Sequence, residues 1–341
     1  MAQEDIPMLF DYCVSNPPYQ MDKSTGKNNS ADNIFHLFYQ YGIDFTYQVI
    51  MIFPGGRWMQ RSSLGNKAAH VIYPTVNTID WYPNGDEKNI TKVFPTVTIH
   101  DGVCIVTGSH NIEKHNKLLL NGIEFDRPGE KDILPLNIDY SFLVKKTAHM
   151  FDKTINIRRY SRSAFGLRSY YSERNPDKLS KIQDEHYDTP VWMANSSKGT
   201  SKRVELFYIP HDEISWSADN EKVFYHYKVV ASQASASKTP ESCTYVVIDN
   251  NTAVGESWVV VGDFLTKEEA INYKKYLDTN VVKKLFSLSK GGKLMTWGYF
   301  IPDLEDYTSN NPHIDWSKPL DPQLYKLFHL TGDEIRAIEN S

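Results

Sequence analysis

The chain opens with a short apolar run that predicts a strand. Leu9–Ser15 is rich in β-forming residues and stops just before the double proline Pro17 and Pro18, so we expect a buried strand that ends in a rigid loop. The stretch that follows, residues 20–32, is polar and has no apolar period, which predicts a longer loop. The diproline should therefore lie at the carboxyl end of the first strand.

A helix and a second strand are predicted next. Apolar residues recur at i, i+3, i+4 and i+7, the spacing of an amphipathic helix, in Ile34, Leu37, Phe38 and Tyr41. Tyr47–Pro54 then reads as a second buried strand. The order strand, loop, helix, strand predicts the βαβ unit of a parallel sheet, in which ligands bind at the carboxyl ends of the strands.

Two further β-like runs complete the first part of the chain. Residues 70–76 form one, with Val71, Tyr73 and Val76 as the expected inward residues, and Gly102–Gly108 forms the other. After Asp139 the pattern changes to a basic segment and then to short strands separated by polar turns. The expected strands cover residues 203–209, 223–231, 243–249 and 258–264.

The last eighty residues predict helices. Thr266–Leu277 begins with a capping box, Thr266 as the cap and Glu269 at its third position, and carries an apolar stripe of Ala270, Tyr273 and Leu277. Residues 319–340 close the chain as one or two helices. We expect an α/β fold over residues 1–145 and a mixed α+β domain over residues 146–341, since 341 residues are more than one ordinary domain holds.

Composition narrows the class of protein. The chain is 40% hydrophobic and 23% charged, and it has no apolar run near the ~18 residues that a membrane helix needs, so we expect neither disorder nor a membrane span. Its three cysteines, Cys13, Cys104 and Cys243, have no metal-ligand spacing, and we expect no metal site. The N-terminus has no signal architecture, which favours the reducing cytoplasm.

Charge is distributed unevenly along the chain. The net charge is -5, yet the segment Lys153–Arg203 has eleven Lys or Arg residues against five acidic ones. Aromatic residues alternate with its arginines, a mixture suited to phosphate contacts and base stacking. A solvated charged face over ordinary core aromatics explains the same composition equally well. The candidate DNA-binding residues are Arg158, Arg159, Arg162, Arg168, Lys202 and Arg203.

The tetrapeptide Asn16-Pro17-Pro18-Tyr19 carries the candidate chemistry. An exocyclic purine amine is a poor nucleophile because its lone pair is delocalised into the ring. Two fixed acceptors, the Asn16 side-chain oxygen and the Pro17 carbonyl, would hold the amine where the lone pair can localise, in a loop stiffened by Pro18. Tyr19 would stack on the base, which must first leave the duplex. By itself, Asn-Pro-Pro is often only a turn.

With this motif the chain resembles the amino-group DNA methyltransferases, and among them the Eco57I-like restriction-modification methylases. The resemblance includes separated matches in FDYCVSNPPYQ, QVIMIFPGGRW, KVFPTVTIHDGVCIVT, FGLRSYY and the C-terminal run from residue 261 onwards. It implies that Asn16 and Pro17 accept hydrogen bonds from a flipped adenine amine, and that Tyr19 and Phe94 pack on its two faces. From the residues alone, Phe94 is better explained as a core phenylalanine beside Val93 and Pro95.

The resemblance also implies partners and a cofactor. Double-stranded DNA is the expected substrate, read by the C-terminal part, and a restriction endonuclease is an expected partner; Pro302-Asp303 lacks the lysine of a nuclease metal site. S-adenosylmethionine is implied, but the glycine-rich motif that precedes Asn-Pro-Pro-Tyr in this class has no counterpart in the fifteen residues before Asn16. FPGGR, VVVGDF and SKGGK downstream lack its spacing.

Three explanations are consistent with the missing glycine-rich motif. The chain is a methyltransferase part that needs a second polypeptide with the S-adenosylmethionine-binding half, a non-catalytic DNA-specificity subunit, or a truncated remnant. An RNA or protein amine would use the same Asn-Pro-Pro-Tyr chemistry. We expect a partial Rossmann-like methyltransferase sheet, whose uncovered strand edge and helix face should make the chain adhesive or dependent on a partner.

Overall fold

The architecture is taken from a computed structural model of the chain. It describes residues 9–21, 32–55, 57–59, 63–82, 102–110, 117–126, 134–135, 138–147, 175–194, 204–214, 216, 218–232, 244–255, 258–288 and 300–340. The chain divides into two compact units, Met1–Ile138 and Asp139–Ser341. Each unit has its own buried cluster of apolar side chains, so each is described by itself.

Among the described residues of the first unit, a six-stranded sheet is accompanied by two α-helices and a small two-stranded ladder. The sheet order is β1-β4-β6-β5-β7-β8. Its strands are β1 (Phe10–Ser15), β4 (Thr46–Pro54), β5 (Val76–Tyr82), β6 (Val103–Ser109), β7 (Lys117–Leu120) and β8 (Ile123–Asp126). The ladder pairs β2 (Gln20–Met21) with β3 (Asp32–Asn33). The helices are α1 (Phe35–Phe45) and α2 (Ser63–Ile72).

The predicted βαβ unit is confirmed. β1 and β4 pair in parallel, with Tyr12 opposite Gln48, and α1 connects them. The sheet as a whole is mixed, because β4, β6 and β5 are joined by antiparallel pairs and only β1–β4 and β5–β7 are parallel. The fold of this unit is therefore mixed α/β with a mixed sheet.

α1 lies very close to β4 because Gly42 has no side chain. A Cβ atom at Gly42 would lie 2.7 Å from Val49 Cγ1, 2.9 Å from Met51 Cε and 3.5 Å from Cys13 Sγ. Val49, Met51 and Phe53 alternate on the helix-facing side of β4 and are all buried. Gly42 thus allows α1 to approach β4 closely on the face that carries Val49, Met51 and Phe53.

The strand predicted at Leu9–Ser15 forms as β1 but is not buried, since its side chains at Leu9, Phe10, Tyr12 and Val14 are between 61% and 73% exposed. Other predictions in this unit are wrong as well. The helix forms, but Leu37, Phe38 and Tyr41 of the predicted buried stripe are exposed, and α1 instead buries Phe35, His36, Tyr39, Gly42 and Ile43. Residues 70–76 are not a strand, since α2 continues to Ile72, a turn follows, and β5 starts only at Val76. A short apolar run fits the end of a helix as well as it fits a strand.

The second unit contains two three-stranded sheets and several helices. Its strands are β9 (Thr189–Ala194), β10 (Val204–Ile209), β11 (Tyr227–Ser232), β12 (Tyr245–Ile248), β13 (Ala253–Val254) and β14 (Trp258–Phe264), in the orders β10-β9-β13 and β12-β11-β14. Its helices are α3 (Phe142–Thr147), α4 (Ala218–Tyr225), α5 (Lys267–Leu277), α6 (Asn280–Ser287), α7 (Leu320–Leu327) and α8 (Gly332–Glu339).

Most predicted elements of this unit are confirmed. α5 starts with the capping box of Thr266 and Glu269 and buries Ala270, Tyr273 and Leu277. The closing segment forms two helices, α7 and α8. The predicted strand over residues 223–231 is only half correct, because its first three residues end α4. Among the described residues, no helix has both the length and the apolar composition to cross a bilayer.

Candidate functional site

The motif Asn16-Pro17-Pro18-Tyr19 follows β1 directly, at the edge of the six-stranded sheet. Asn16 and Pro18 are exposed, Pro17 is buried and Tyr19 is half-buried. Because β1 and β4 are parallel, their carboxyl ends lie at the same edge of the sheet. The motif thus has the placement that the sequence predicted, with the Asn16 side chain open to solvent.

Asn16 and Tyr19 are in direct contact. The Tyr19 hydroxyl donates a hydrogen bond of 2.8 Å to the Asn16 side-chain oxygen, Oδ1. An amide oxygen has two lone pairs, so one remains able to accept a hydrogen from a ligand. The contact also distinguishes the two ends of the amide, because the oxygen, which accepts, points to the tyrosine. Asn16 is therefore held as an oriented acceptor.

Tyr19 is anchored on both its side chain and its main chain. Its ring packs against the buried cluster of the first unit. Its carbonyl oxygen accepts a 3.0 Å hydrogen bond from Ile34 N, and Gln20 pairs with Asn33 in the adjoining ladder. The prediction that the whole of residues 20–32 is a loop is therefore wrong at its two ends, which pair with each other. This pairing ties the motif to the start of α1.

Proton-transfer groups beside the motif are held in their neutral forms. Burial, and secondarily the Cys104 sulfur, raises the pKa of Tyr19. Burial raises the pKa of the Cys104 thiol to about 12, although the Trp58 indole donates to its sulfur at 3.2 Å. At neutral pH both groups keep their protons, so neither is a base or a nucleophile. The chemistry available at this edge is hydrogen bonding by the exposed side chain of Asn16.

The remaining predicted site residues lie outside the part of the chain that the structure describes. This applies to Phe94, which was expected to stack on the second face of the base. It applies equally to the six basic residues expected to contact DNA, Arg158, Arg159, Arg162, Arg168, Lys202 and Arg203. The structure therefore brings together Asn16, Pro17, Pro18 and Tyr19. The roles expected for the other seven residues stay predictions.

Two of the three downstream glycine segments contain a described glycine with contacts of its own. Gly55 of FPGGR is buried, and its N–H donates to the Gly102 carbonyl oxygen at 2.8 Å. Gly262 of VVVGDF is required for packing, because a Cβ there would lie 2.8 Å from the Tyr273 ring and 2.9 Å from the Phe264 ring. The glycines of SKGGK lie outside the described residues. Gly55 thus hydrogen-bonds to another part of the main chain, and Gly262 packs against two aromatic rings.

Acidic side chains are not grouped as a metal site requires. Within the described ranges, no cluster of three or more His, Cys, Asp or Glu residues has metal-binding geometry. Asp303, which follows Pro302, accepts hydrogen bonds of 2.9 Å from Glu305 N and from the Tyr307 hydroxyl. Its carboxylate thus orders a turn of the second unit.

One interaction of the site could not be read from the sequence pattern. The Tyr19–Asn16 hydrogen bond joins residues three apart across two prolines, where neither periodicity nor propensity specifies the side-chain rotamers. The main-chain hydrogen bond between Tyr19 and Ile34 joins the two ends of a polar segment whose sequence does not predict a strand. The sequence signal available for this pairing is the presence of amide side chains at Gln20 and Asn33. In the structure, Gln20 Nε2 donates to Asn33 Oδ1 at 3.4 Å.

Comparison with known proteins gives one family match. The family model described as Eco57I restriction-modification methylase matches residues 3–72, which include β1, the Asn-Pro-Pro-Tyr motif, α1 and β4. No curated protein sequence matches the chain significantly. The resemblance of this segment to restriction-modification methylases is therefore confirmed.

Solved structures of three enzymes are similar to the chain, which spans about half the length of each. The Type IIL restriction-modification enzyme MmeI, in complex with DNA, aligns over 97% of this chain and 54% of its own, at 10% identity and TM-score 0.43. The type IIG restriction endonuclease BpuSI aligns over 92% and 48%, at 9% identity and TM-score 0.32. The DrdV–DNA complex aligns over 90% and 43%, at 10% identity and TM-score 0.39.

Proposed function

We propose that this chain is the adenine-binding and target-recognition part of a restriction-modification DNA methyltransferase that modifies the N6 amine of adenine. One observation carries the proposal: Asn16 stands at the carboxyl end of β1 as an exposed, oriented acceptor, inside the segment that matches a restriction-modification methylase family. The first unit is, in this proposal, part of a Rossmann-like methyltransferase sheet.

The proposed role of each motif residue follows from its hydrogen bonding. The free lone pair of Asn16 Oδ1 and the Pro17 carbonyl accept the two amine hydrogens of an adenine that has left the duplex. These bonds oppose delocalisation of the nitrogen lone pair into the ring and so favour its attack on a methyl group. Pro18 limits movement of the loop, Tyr19 contacts one face of the base, and Phe94 contacts the other.

Neutral neighbours support this chemistry. The amine loses its proton only after the methyl group has been transferred, so the site requires acceptors before transfer and no strong base. Tyr19 and Cys104, both with raised pKa, keep their protons and place no negative charge beside the motif.

In this proposal, the second unit binds double-stranded DNA. Residues 146–341 form the target-recognition domain, and Arg158, Arg159, Arg162, Arg168, Lys202 and Arg203 contact the DNA. Salt dependence of binding should be steep, because each neutralised phosphate releases counterions. A restriction endonuclease acting at the same sequence is a further proposed partner.

The methyl group would come from S-adenosylmethionine held by a second polypeptide. Because FPGGR, VVVGDF and SKGGK lack the spacing of the family's cofactor motif, the proposal places the cofactor on another polypeptide. The alternative is a non-catalytic DNA-specificity subunit. The basic segment Lys153–Arg203 favours DNA binding both for the methyltransferase part and for the specificity subunit.

A reconstituted methylation assay tests the proposal. The chain is mixed with the product of whichever adjacent reading frame carries an aromatic-x-Gly-x-Gly motif, and transfer of labelled methyl groups to duplex DNA is measured. We expect N6-methyladenine, and we expect Asn16→Ala to lower the rate at least about 100-fold with DNA affinity nearly unchanged. A complex that binds cofactor and DNA but never methylates establishes the specificity subunit. Methylation of RNA or protein in competition assays would instead reassign the acceptor.

A further inference from the structure

The second unit has an open cleft of about 850 Å³ that lies far along the chain from the Asn-Pro-Pro-Tyr motif. It is formed by α5 and by the segment of residues 309–317, and Gln323 of α7 also lines it. We call it the α5 cleft and define it by Ile271 and Lys275 of the helix and by Pro312 and Trp316 of the segment.

Two buried residues of the cleft are fixed by hydrogen bonds to the main chain. The side-chain nitrogen of Asn272 donates to the Tyr307 carbonyl oxygen at 2.9 Å. The indole N–H of Trp316 donates to the Thr308 carbonyl oxygen at 2.8 Å. Asn272 is 3% exposed and Trp316 8%. These bonds fix the Asn272 amide with its oxygen free to accept and hold the Trp316 backbone in place.

Lys275 is exposed, yet its ammonium is held by these two residues. Its Nζ donates to the Asn272 side-chain oxygen at 3.2 Å and to the Trp316 carbonyl oxygen at 3.3 Å. An ammonium has three N–H donors, so one remains for a ligand. Both acceptors are neutral, so the bonds that orient the ammonium do not compensate its charge.

The fixed position of Lys275 favours a ligand. Ordering a lysine side chain costs about 1.5–2 kcal/mol of conformational entropy. Here the fold already orders the side chain, so a ligand that contacts the ammonium does not have to oppose this entropy again. An oriented and uncompensated ammonium is suited to an anion.

The neighbouring charges leave the Lys275 end of the cleft positive. Asp315, which precedes Trp316, is bonded to Lys318 at 2.7 Å, so its charge is compensated. Glu268 also lines the cleft, but it lies seven residues before Lys275, which is about 10 Å along the axis of α5. Neither carboxylate is a hydrogen-bond acceptor of Lys275 among the described residues.

Apolar side chains accompany the ammonium in the cleft. Ile271 is 39% exposed and lies one turn before Lys275 on the same side of α5. Pro312 lines the same cleft. An inorganic anion offers nothing apolar to contact these side chains, whereas a phosphate of nucleic acid is attached to the apolar ring face of a sugar. The combination of groups therefore favours a nucleotide phosphate.

We propose that the α5 cleft binds a phosphate of the DNA backbone through Lys275, with the adjoining deoxyribose against Ile271 and Pro312. The inference rests on the proposed function, in which the second unit binds duplex DNA, and adds a contact outside the basic segment Lys153–Arg203. Phosphate contacts set the register and orientation of a protein on the duplex and carry no sequence information. Lys275 therefore positions the DNA equally well on every sequence.

Binding of the full chain to a mixed-sequence DNA duplex tests this site. The dissociation constant is measured by fluorescence anisotropy at several salt concentrations. Lys275→Met should weaken binding about tenfold and reduce the salt dependence, the slope of log K against log salt, by about one, because one phosphate contact is lost. Lys275→Arg keeps the charge and should keep the slope.

Lys274→Met is the matched control. It changes the net charge equally at the adjacent position of α5, but Lys274 is bonded to Asp278 and lies outside the lining of the cleft. We expect this variant to keep the wild-type slope. A slope reduced as much by Lys274→Met as by Lys275→Met would overturn the site, because the effect is then one of overall charge.

A second substitution leaves Lys275 in place. Ile271→Glu puts a carboxylate one turn before Lys275, where it neutralises the ammonium, and it should also weaken DNA binding about tenfold. Thermal midpoints verify that both variants are folded. Wild-type affinity and slope in Ile271→Glu, or in a folded Lys275→Met, refute the phosphate site. Calorimetric binding of dAMP that Lys275→Met abolishes, with DNA affinity unchanged, refutes it as well, since the ligand is then a free nucleotide.

Methylation separates this proposal from the proposed function. DNA binding that depends on Lys275, in a reconstituted complex that never methylates, refutes methyl transfer and supports the phosphate site. Methylation by a complex whose DNA affinity and slope are the same with Lys275→Met refutes the phosphate site alone.

Discussion

The hydroxyl of Tyr19 donates a 2.8 Å hydrogen bond to Oδ1 of Asn16, the atom proposed to accept the target amine. Tyr19 therefore has two separable features, a ring that packs against the core and a hydroxyl that orients the neighbouring amide. Because the amide oxygen keeps a second lone pair, this hydrogen bond and the bond to the substrate are compatible. Substitutions that remove only one of the two features distinguish their contributions.

Tyr19→Phe should lower the methylation rate of the reconstituted enzyme about tenfold, since the loss of one hydrogen bond lets the Asn16 amide rotate. Tyr19→Ala should lower it further, because stacking on a base contributes about 1–3 kcal/mol. Single-turnover rates on duplex DNA measure both effects. Tyr47→Phe is the matched control: it removes the hydroxyl of an exposed tyrosine of β4 and should leave the single-turnover rate unchanged. Equal rates for wild type and Tyr19→Phe would show that the hydroxyl does not position Asn16.

Gly42→Ala should destabilise the first unit by about 1–3 kcal/mol, even though alanine favours a helix by about 1 kcal/mol. The added Cβ would lie 2.7 Å from Val49 Cγ1 and 2.9 Å from Met51 Cε, so α1 or β4 must shift. Denaturant unfolding followed by tryptophan fluorescence measures the change. Gly332→Ala is the control, since its Cβ would meet only Arg336 Nη1, at 3.5 Å. A Gly42→Ala protein as stable as wild type would mean that α1 has room to move.

The sequence predicted the elements around the site better than their packing. Strands β1, β4 and β6 and helix α1 lie close to where their patterns put them, because their apolar runs are bounded by prolines, glycines or polar stretches. The buried face of α1 was assigned wrongly because both of its faces are apolar. Periodicity identifies an apolar stripe, but only the neighbouring strand decides which stripe is covered.

Residues 70–76 show a different limit of the sequence pattern. Val71 and Tyr73 suit a strand by propensity, yet Val71 belongs to α2 and Tyr73 to the turn after it. A seven-residue window cannot separate a period of 2 from a period of 3.6 when most positions are apolar. The site motif was located from its chemistry and from the strand before it. The Tyr19–Asn16 contact depends on side-chain rotamers that the sequence does not specify.

Thr266→Ala should destabilise the second unit by about 1 kcal/mol, because it removes the side-chain oxygen that accepts from Glu269 N and with it the capping box of α5. α5 packs on β11 and β14, so the loss should appear in the thermal midpoint of the whole unit. Thr266→Ser keeps the hydroxyl and is expected to retain most of the stability. A serine variant as destabilised as the alanine variant would indicate that the methyl group, and not the cap, is what matters.

Lys228 makes the stability of the second unit depend on pH. It lies on β11, is 0% exposed, and its ammonium donates to the Asp249 carbonyl oxygen at 3.1 Å and to the Phe224 carbonyl oxygen at 3.4 Å. The nearby Asp263 carboxylate is bonded to His226 at 2.7 Å. Burial lowers the pKa of Lys228 to about 7, although Asp263 and Asp249 act in the opposite direction.

The sign of the pH effect follows from this lowered pKa. Between pH 7 and about 10.5 the unfolded chain holds a proton on Lys228 that the folded chain has released, so the free energy of unfolding should rise with pH in that window. Below pH 7 both states are protonated and the dependence disappears. Since one pKa unit corresponds to about 1.4 kcal/mol, the total rise is on the order of 5 kcal/mol.

Lys228→Met should therefore be more stable than wild type at pH 7 by about 1–4 kcal/mol, since it replaces a buried amine with an apolar side chain of similar length. It should also lose the rise in stability between pH 7 and 10. Urea unfolding at several pH values measures both effects, and Lys222→Met, at an exposed position of α4, is the control that should keep the wild-type pH profile. An unchanged slope in Lys228→Met would show that another group titrates in this window.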